Sequence, residues 1–152
     1  MYFFFAPLVV CLFIAVYFDI KTRRIPNWLT LPGIMIGLLA ALVVGGQSIF
    51  ISHLVGAVIL GGVWFVLWQL GMMGGGDQKL MMLVGAWLGQ SFAWFALVSV
   101  AVCGGFLALA YTYRRHRQEL ALTWRQTFRV TRLPYSLAIA GGTIIVILSA
   151  VF

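Results

Sequence analysis

Apolar residues run along this chain almost without interruption, and short breaks between the runs hold nearly all of its charge. Met1 to Phe18 is a first run, and Asp19 stands where that helix should meet a membrane interface. Pro26 disfavours helix at Ile25, and Asn27 can cap a helix that begins at Trp28 and reaches about Val44. Gly45-Gly46-Gln47-Ser48 reads as an uncharged turn before a third run, Ile49 to about Leu70. Apolar character resumes at Leu80 and lasts to Tyr113. As one helix that stretch would be about 51 Å long, too much for one crossing of a hydrocarbon core of about 30 Å. A break at Gly89-Gln90-Ser91 divides it into two, the first piece short enough either to span or to re-enter. Pro134-Tyr135-Ser136 opens a last run that ends at Phe152. The pattern predicts an all-α, polytopic membrane protein, a single domain over residues 1–152 with six transmembrane helices, one short or re-entrant.

Composition agrees with this, since 63% hydrophobic and 9% charged side chains leave too little polar surface for a soluble globule. The net charge of +7 invites a nucleic-acid partner, but the basic positions argue for topology in a lipid bilayer and for no nucleic acid. Lys21, Arg23 and Arg24 follow the first run, Lys79 the third, and Arg114, Arg115, Arg117, Arg125, Arg129 and Arg132 lie between the fifth and sixth. Six spans put all three clusters on one side, which the positive-inside rule makes cytoplasmic. Both termini are then expected outside. The first run lacks a preceding basic region and a cleavage site, so it reads as a retained span. Cys11 and Cys103 sit inside apolar runs without metal-ligand spacing, which argues against a zinc site or a disulfide framework. In the polar stretch Arg114 to Leu133, Leu120, Trp124 and Phe128 recur at four-residue steps beside Arg125, Arg129 and Arg132. That pattern suggests a basic amphipathic helix on the membrane surface, or simply a topology-fixing loop. His116 and Glu119 in this stretch receive no catalytic role.

The candidate chemistry lies in Gly74-Gly75-Gly76-Asp77-Gln78-Lys79. Asp19 and Asp77 are two of only three acidic residues in the chain, and the topology brings both to cytoplasmic helix ends. An ionisable group at a span costs about 2.5–3.5 kcal/mol on insertion scales, so such a residue is a functional candidate. Two carboxylates at a partly desolvated site do not both ionise easily, which makes an acid and a base from identical groups. The ionised one can take a proton from attacking water, while the protonated one can assist the oxyanion and the leaving amine. That chemistry calls for no cofactor and no metal. Which aspartate is base is left open by the sequence.

The run Gly71-Met72-Met73-Gly74-Gly75-Gly76 disfavours helix, each glycine costing about 1 kcal/mol relative to alanine. Irregular backbone at membrane depth is tolerated where it borders a cavity. Gly74, Gly75 and Gly76 would leave the backbone open to an extended substrate. Lys21 and Lys79, each two residues after an aspartate, either act on the carboxylates or substrate or snorkel to water, with snorkelling favoured. Gly56, Gly61 and Gly62 in the third run read as helix-packing positions, and His53 as an interfacial histidine.

Asp19 followed by Ile25-Pro26-Asn27, and Gly74-Gly75-Gly76-Asp77-Gln78-Lys79-Leu80 followed by Leu88-Gly89, resemble the type IV prepilin peptidases, aspartic intramembrane proteases of the G-x-G-D class. The likeness extends over essentially the whole chain and best fits the short branch serving tight-adherence (Flp-type) pili. Pro134-Tyr135-Ser136-Leu137-Ala138-Ile139-Ala140 looks like that branch's last-span motif. The resemblance implies Asp19 and Asp77 as catalytic pair, with Gly74, Gly75, Gly76, Lys21, Lys79, Pro26 and Asn27 shaping the loop or binding substrate. It implies prepilins and pseudopilins as substrates, cut at the cytoplasmic face of a bacterial inner membrane between a basic leader and an apolar helix. The long branch has an N-terminal cysteine-bearing insertion and a second, methylating activity. This chain shows no such insertion and no paired cysteines, which leaves methylation open, and Gln78 departs from a commonly apolar position.

Two other readings fit the same residues. A small ion or proton transporter component would use the aspartates as a relay, although both sit at one face. A secretion-machine scaffold would use them as helix-end polar groups. Sequence leaves the oligomeric state open.

Overall fold

The computed structural model describes residues 2–116 and 135–151. They form four helices: α1 Tyr2–Thr22, α2 Asn27–Gln69, α3 Gly75–His116 and α4 Ser136–Val151. The proposed basic surface helix and its arginines from Arg117 to Arg132 lie outside the described residues. Three of the helices are long and apolar enough to cross a membrane, with windows at Phe5–Thr22, Asn27–Gln69 and Gly75–Ala110. Their outer faces expose large apolar side chains such as Phe13, Val43, Phe95 and Phe106. An all-helical integral membrane protein follows, because only a lipid solvent welcomes so much apolar surface.

Two glycines break the long helices. Gly46 (φ 67, ψ −164) and Gly89 (φ 73, ψ 175) leave helical geometry while the helix continues on both sides. These dihedrals lie in a region essentially reserved for glycine. The expected four-residue turn over Gly45 to Ser48 is therefore a one-residue break, because a glycine with positive φ redirects the chain without unwinding its neighbours.

The packing shows that the chain doubles back at Gly46. A Cβ added at Gly33 would meet Leu83 and one at Gly37 would meet Trp87, so the first half of α2 runs parallel to the start of α3. Gly56 lies on Gly85 and Gly89, and Gly61 on Met82, so the second half runs antiparallel to the same segment. Gly56 and Gly61 are the close-approach positions the sequence suggested, whereas Gly62 faces open space. At Gly85 an added Cβ would meet the backbone of Gly56 and Ala57, so these two segments touch main chain to main chain.

The centre of the bundle is the first half of α3. Leu80, Met81, Leu83, Val84, Ala86, Trp87 and Leu88 are all buried, a helix apolar all round because it is enclosed all round. The segment is about 14 residues, roughly 21 Å, the short piece expected from the sequence. The indole N–H of Trp87 donates to the Gly33 carbonyl across this contact (3.0 Å).

The Gly89 break is closed by α2. In an unbroken helix the Gln90 N–H would donate to the Ala86 carbonyl. Here the Gln90 N–H donates to Ser52 Oγ (3.3 Å), and His53 Nδ1 donates to the Ala86 carbonyl (2.9 Å). A carbonyl only accepts, so Nδ1 carries the proton. His53, read from the sequence as an ordinary interfacial residue, is a structural joint, since two neighbouring side chains replace one missing main-chain bond.

Candidate active site

Each acidic residue is delivered by a helix terminus. Asp19 lies in the last turn of α1, and its carbonyl accepts the Arg23 N–H (2.9 Å). Thr22 Oγ1 donates to the Phe18 carbonyl (2.8 Å), and Arg23 takes a positive φ of 53° that ends the helix. Glycine or asparagine usually fills that left-handed position, so the sequence offers no signal for it. The reversal points Ile25 inward, where it is buried.

Asp77 comes from the start of α3. The preceding helix stops at Gly71 (φ 71), whose N–H donates to the Trp68 carbonyl (2.9 Å) while the Met72 N–H donates to that of Leu67 (3.0 Å). This paired closure satisfies carbonyls that a helix end would orphan. Helix resumes at Gly75, so Gly75 and Gly76 are helical, and the unwound stretch expected through Gly76 ends at Gly74. Asp77 falls in the first turn, and the Gly74 N–H donates to its carboxylate, as acidic side chains do at that helical position.

Two of the glycines permit close approaches. A Cβ on Gly74 would stand 3.3 Å from Asp77 Oδ2, and one on Gly76 would stand 3.2 Å from Ile25 Cβ. The second contact seats the start of α3 against the α1–α2 turn. As a result Asp19 and Asp77 line one cavity of about 700 Å³, together with Pro26, Asn27, Gly74, Gly75, Gly76 and Lys79. The two carboxylates interact electrostatically across it. Arg23 and Arg24 add positive charge to its wall.

The remaining sequence candidates divide. Asn27 does not cap α2: Pro26 is the N-cap residue, without a side-chain capping bond. Its Oδ1 instead accepts from Lys79 Nζ (2.7 Å), because the start of α3 lies beside that of α2. Lys79 is thus held along the cavity wall. Lys21 is not among the lining residues. It is exposed, and its Nζ donates to Tyr17 Oη (3.3 Å) and lies 5.5 Å from the ring centroid.

Ser136 escaped the sequence reading as a site residue. It is fully buried, and its hydroxyl donates to Asp19 Oδ2 (2.6 Å). Tyr135 beside it lies within electrostatic reach of Asp77. Pro134-Tyr135-Ser136, where polar side chains stand at the opening of an apolar run, was the available signal. Among the described residues no three His, Cys, Asp or Glu side chains gather as metal ligands. Chemically the arrangement offers two carboxylates on one cavity, within electrostatic reach of each other, in a space large enough for a peptide segment.

Residues 6–112 match the type IV leader peptidase family. Two relatives carry the name prepilin leader peptidase/N-methyltransferase. One, from Legionella pneumophila, is 30% identical over 118 residues, 70% of this chain and 40% of the relative. The other, from Aeromonas hydrophila, is 30% identical over 136 residues, 82% of this chain and 42% of the relative. The chain thus spans well under half the length of either. No solved structure matches it. With a family match over most of its length and both aspartates on one cavity, this chain belongs to the type IV leader peptidase family.

Proposed function

We propose that this chain is an aspartic endopeptidase that removes the leader of Flp-type prepilins and pseudopilins at the cytoplasmic face of a bacterial inner membrane. The observation that carries the reading is the convergence of Asp19 and Asp77 from two helix ends onto one cavity. The half-helices on either side of Gly46 and Gly89, with α1 and α4, make six membrane crossings. Lys21, Arg23, Arg24 and Lys79 all lie at the aspartate end, which favours the cytoplasmic side.

In this mechanism the ionised aspartate takes a proton from water as its oxygen attacks the scissile carbonyl carbon. The protonated aspartate stabilises the oxyanion, and collapse of the intermediate breaks the C–N bond as the amine takes up a proton. The products are a leader carboxylate and a free pilin amine. Gly74 to Gly76 line the cavity in which an extended substrate would lie. Cleavage alone is carried over from the relatives, because this chain matches about two fifths of each.

Co-expression with an Flp-type precursor tests the reading. The wild-type chain is expected to shorten the precursor by its leader, while Asp19→Asn and Asp77→Asn at matched membrane levels leave it intact. Leader loss that survives in both variants would overturn the assignment.

A further inference from the structure

Ser136 is a polar residue with no solvent contact at all, in a chain whose buried positions are otherwise almost entirely apolar. Its relative exposure is 0%. A hydroxyl in such a place is costly unless its proton is given to an acceptor. It stands at the first position of α4. Its partner is Asp19 Oδ2, at 2.6 Å, a short distance of the kind seen when a hydroxyl donates to a carboxylate.

We propose that Ser136 is a positioning residue for the Asp19 carboxylate. It occupies Oδ2, fixes the carboxylate plane and leaves Oδ1 to meet water in the cavity. The inference rests on the peptidase reading above and adds a residue from the last helix, which reaches the site behind the cavity wall, through Asp19. The charged or titratable groups near the pair are Asp77 and Lys79 from α3, Arg23 and Arg24 from the α1–α2 turn, and Tyr135 just ahead of α4. The neutral polar residues of the lining are engaged elsewhere, Asn27 by Lys79 and the Thr22 hydroxyl by the Phe18 and Arg24 carbonyls. Ser136 is a neutral donor that restrains Asp19 whatever the charge state of the titratable groups. α4 also packs on both α3 and α1, so the bond ties the orientation of Asp19 to the seating of the last helix.

The test measures leader cleavage by purified full-length protein over a range of precursor concentrations, with rates normalised to folded enzyme. Wild type, Ser136→Ala, Ser136→Thr and Asp19→Asn are compared on one Flp-type precursor. Ser136→Ala is expected to lower kcat about 10- to 100-fold, the worth of a hydrogen bond to a charged group, with little change in KM. Ser136→Thr keeps the hydroxyl and is expected to restore the rate. If Ser136→Ala does not accumulate, Ser136→Cys, of similar size but a weak donor, takes its place.

A variant without the hydroxyl that cuts like wild type while Asp19→Asn is inactive would overturn the Ser136 inference and leave the peptidase reading intact. So would an equal loss of rate in Ser136→Ala and Ser136→Thr, the mark of a merely structural effect. A wild-type chain that cuts none of several precursors would remove the peptidase reading, and this inference with it.

Discussion

At its N-terminal end the buried first half of α3 presents Asp77 to an open cavity, opposite Asp19. At its C-terminal end, at Gly89, Ser52 and His53 are taken up by the ends of a broken helix. Both ends are glycine-marked interruptions of an apolar helix, yet their polar groups have opposite fates. At Gly89 each side chain closes one orphaned main-chain group. At Gly74 to Gly76 the backbone closes largely by itself, through the Gly71 and Met72 bonds, and although Asp77 takes the Gly74 N–H, a carboxylate keeps acceptor capacity to turn to the cavity. The difference teaches that a glycine next to polar residues in a membrane helix does not by itself mark a site. What matters is whether the side chains are consumed by main chain.

The sharpest way to break the comparison is at the aspartates. Asp77→Asn is expected to cost at least ~10²–10⁴-fold in leader cleavage, with little change in thermal unfolding in detergent. If it unfolds the protein instead, the Asp77 end is structural too. Next in size, Gly85→Ala places a methyl against the Gly56 main chain and is expected to cost about 1–3 kcal/mol of stability. Gly89→Ala forces a side chain into φ 73, ψ 175 at a similar cost of about 1–3 kcal/mol. Differential scanning in detergent checks both.

Ser52→Ala and His53→Ala each orphan one main-chain group at the break. Each is expected to lower the unfolding temperature by the equivalent of about 1–3 kcal/mol, with kcat per folded enzyme kept within a few-fold. A collapse of kcat without loss of stability would erase the contrast between the two ends. The smallest effect is expected at the lysines. Lys79→Met loses the bond to Asn27, about 0.5–1.5 kcal/mol, and should raise KM, because the group borders the cavity. Lys21→Gln, on the exposed surface beside Tyr17, should be neutral in the same assay.

Much of this was legible in the residues because lipid leaves little choice. A backbone that cannot hydrogen-bond to its solvent must be helical, so long apolar runs fixed helix and approximate length. Glycine's access to positive φ marked Gly89 inside its expected break and placed Gly46 within the expected turn. The rarity of acids singled out Asp19 and Asp77. The Arg23 reversal was not legible, because nothing in an arginine announces a left-handed backbone. Nor were the jobs of Asn27, His53 and Ser136, whose partners lie 52, 33 and 117 residues away in sequence.

The sequence by itself determined the class of structure, the long apolar helices and the two candidate carboxylates. The reason is that hydrophobic length and the cost of burying charge are properties of single segments. Only the tertiary structure decided that Asp19 and Asp77 meet, that Lys79 turns to Asn27, and that Ser136 holds Asp19. These depend on close approaches such as Gly76 on Ile25 and Gly56 on Gly85, which set helix against helix to within a few tenths of an ångström. No local pattern encodes distances of that kind.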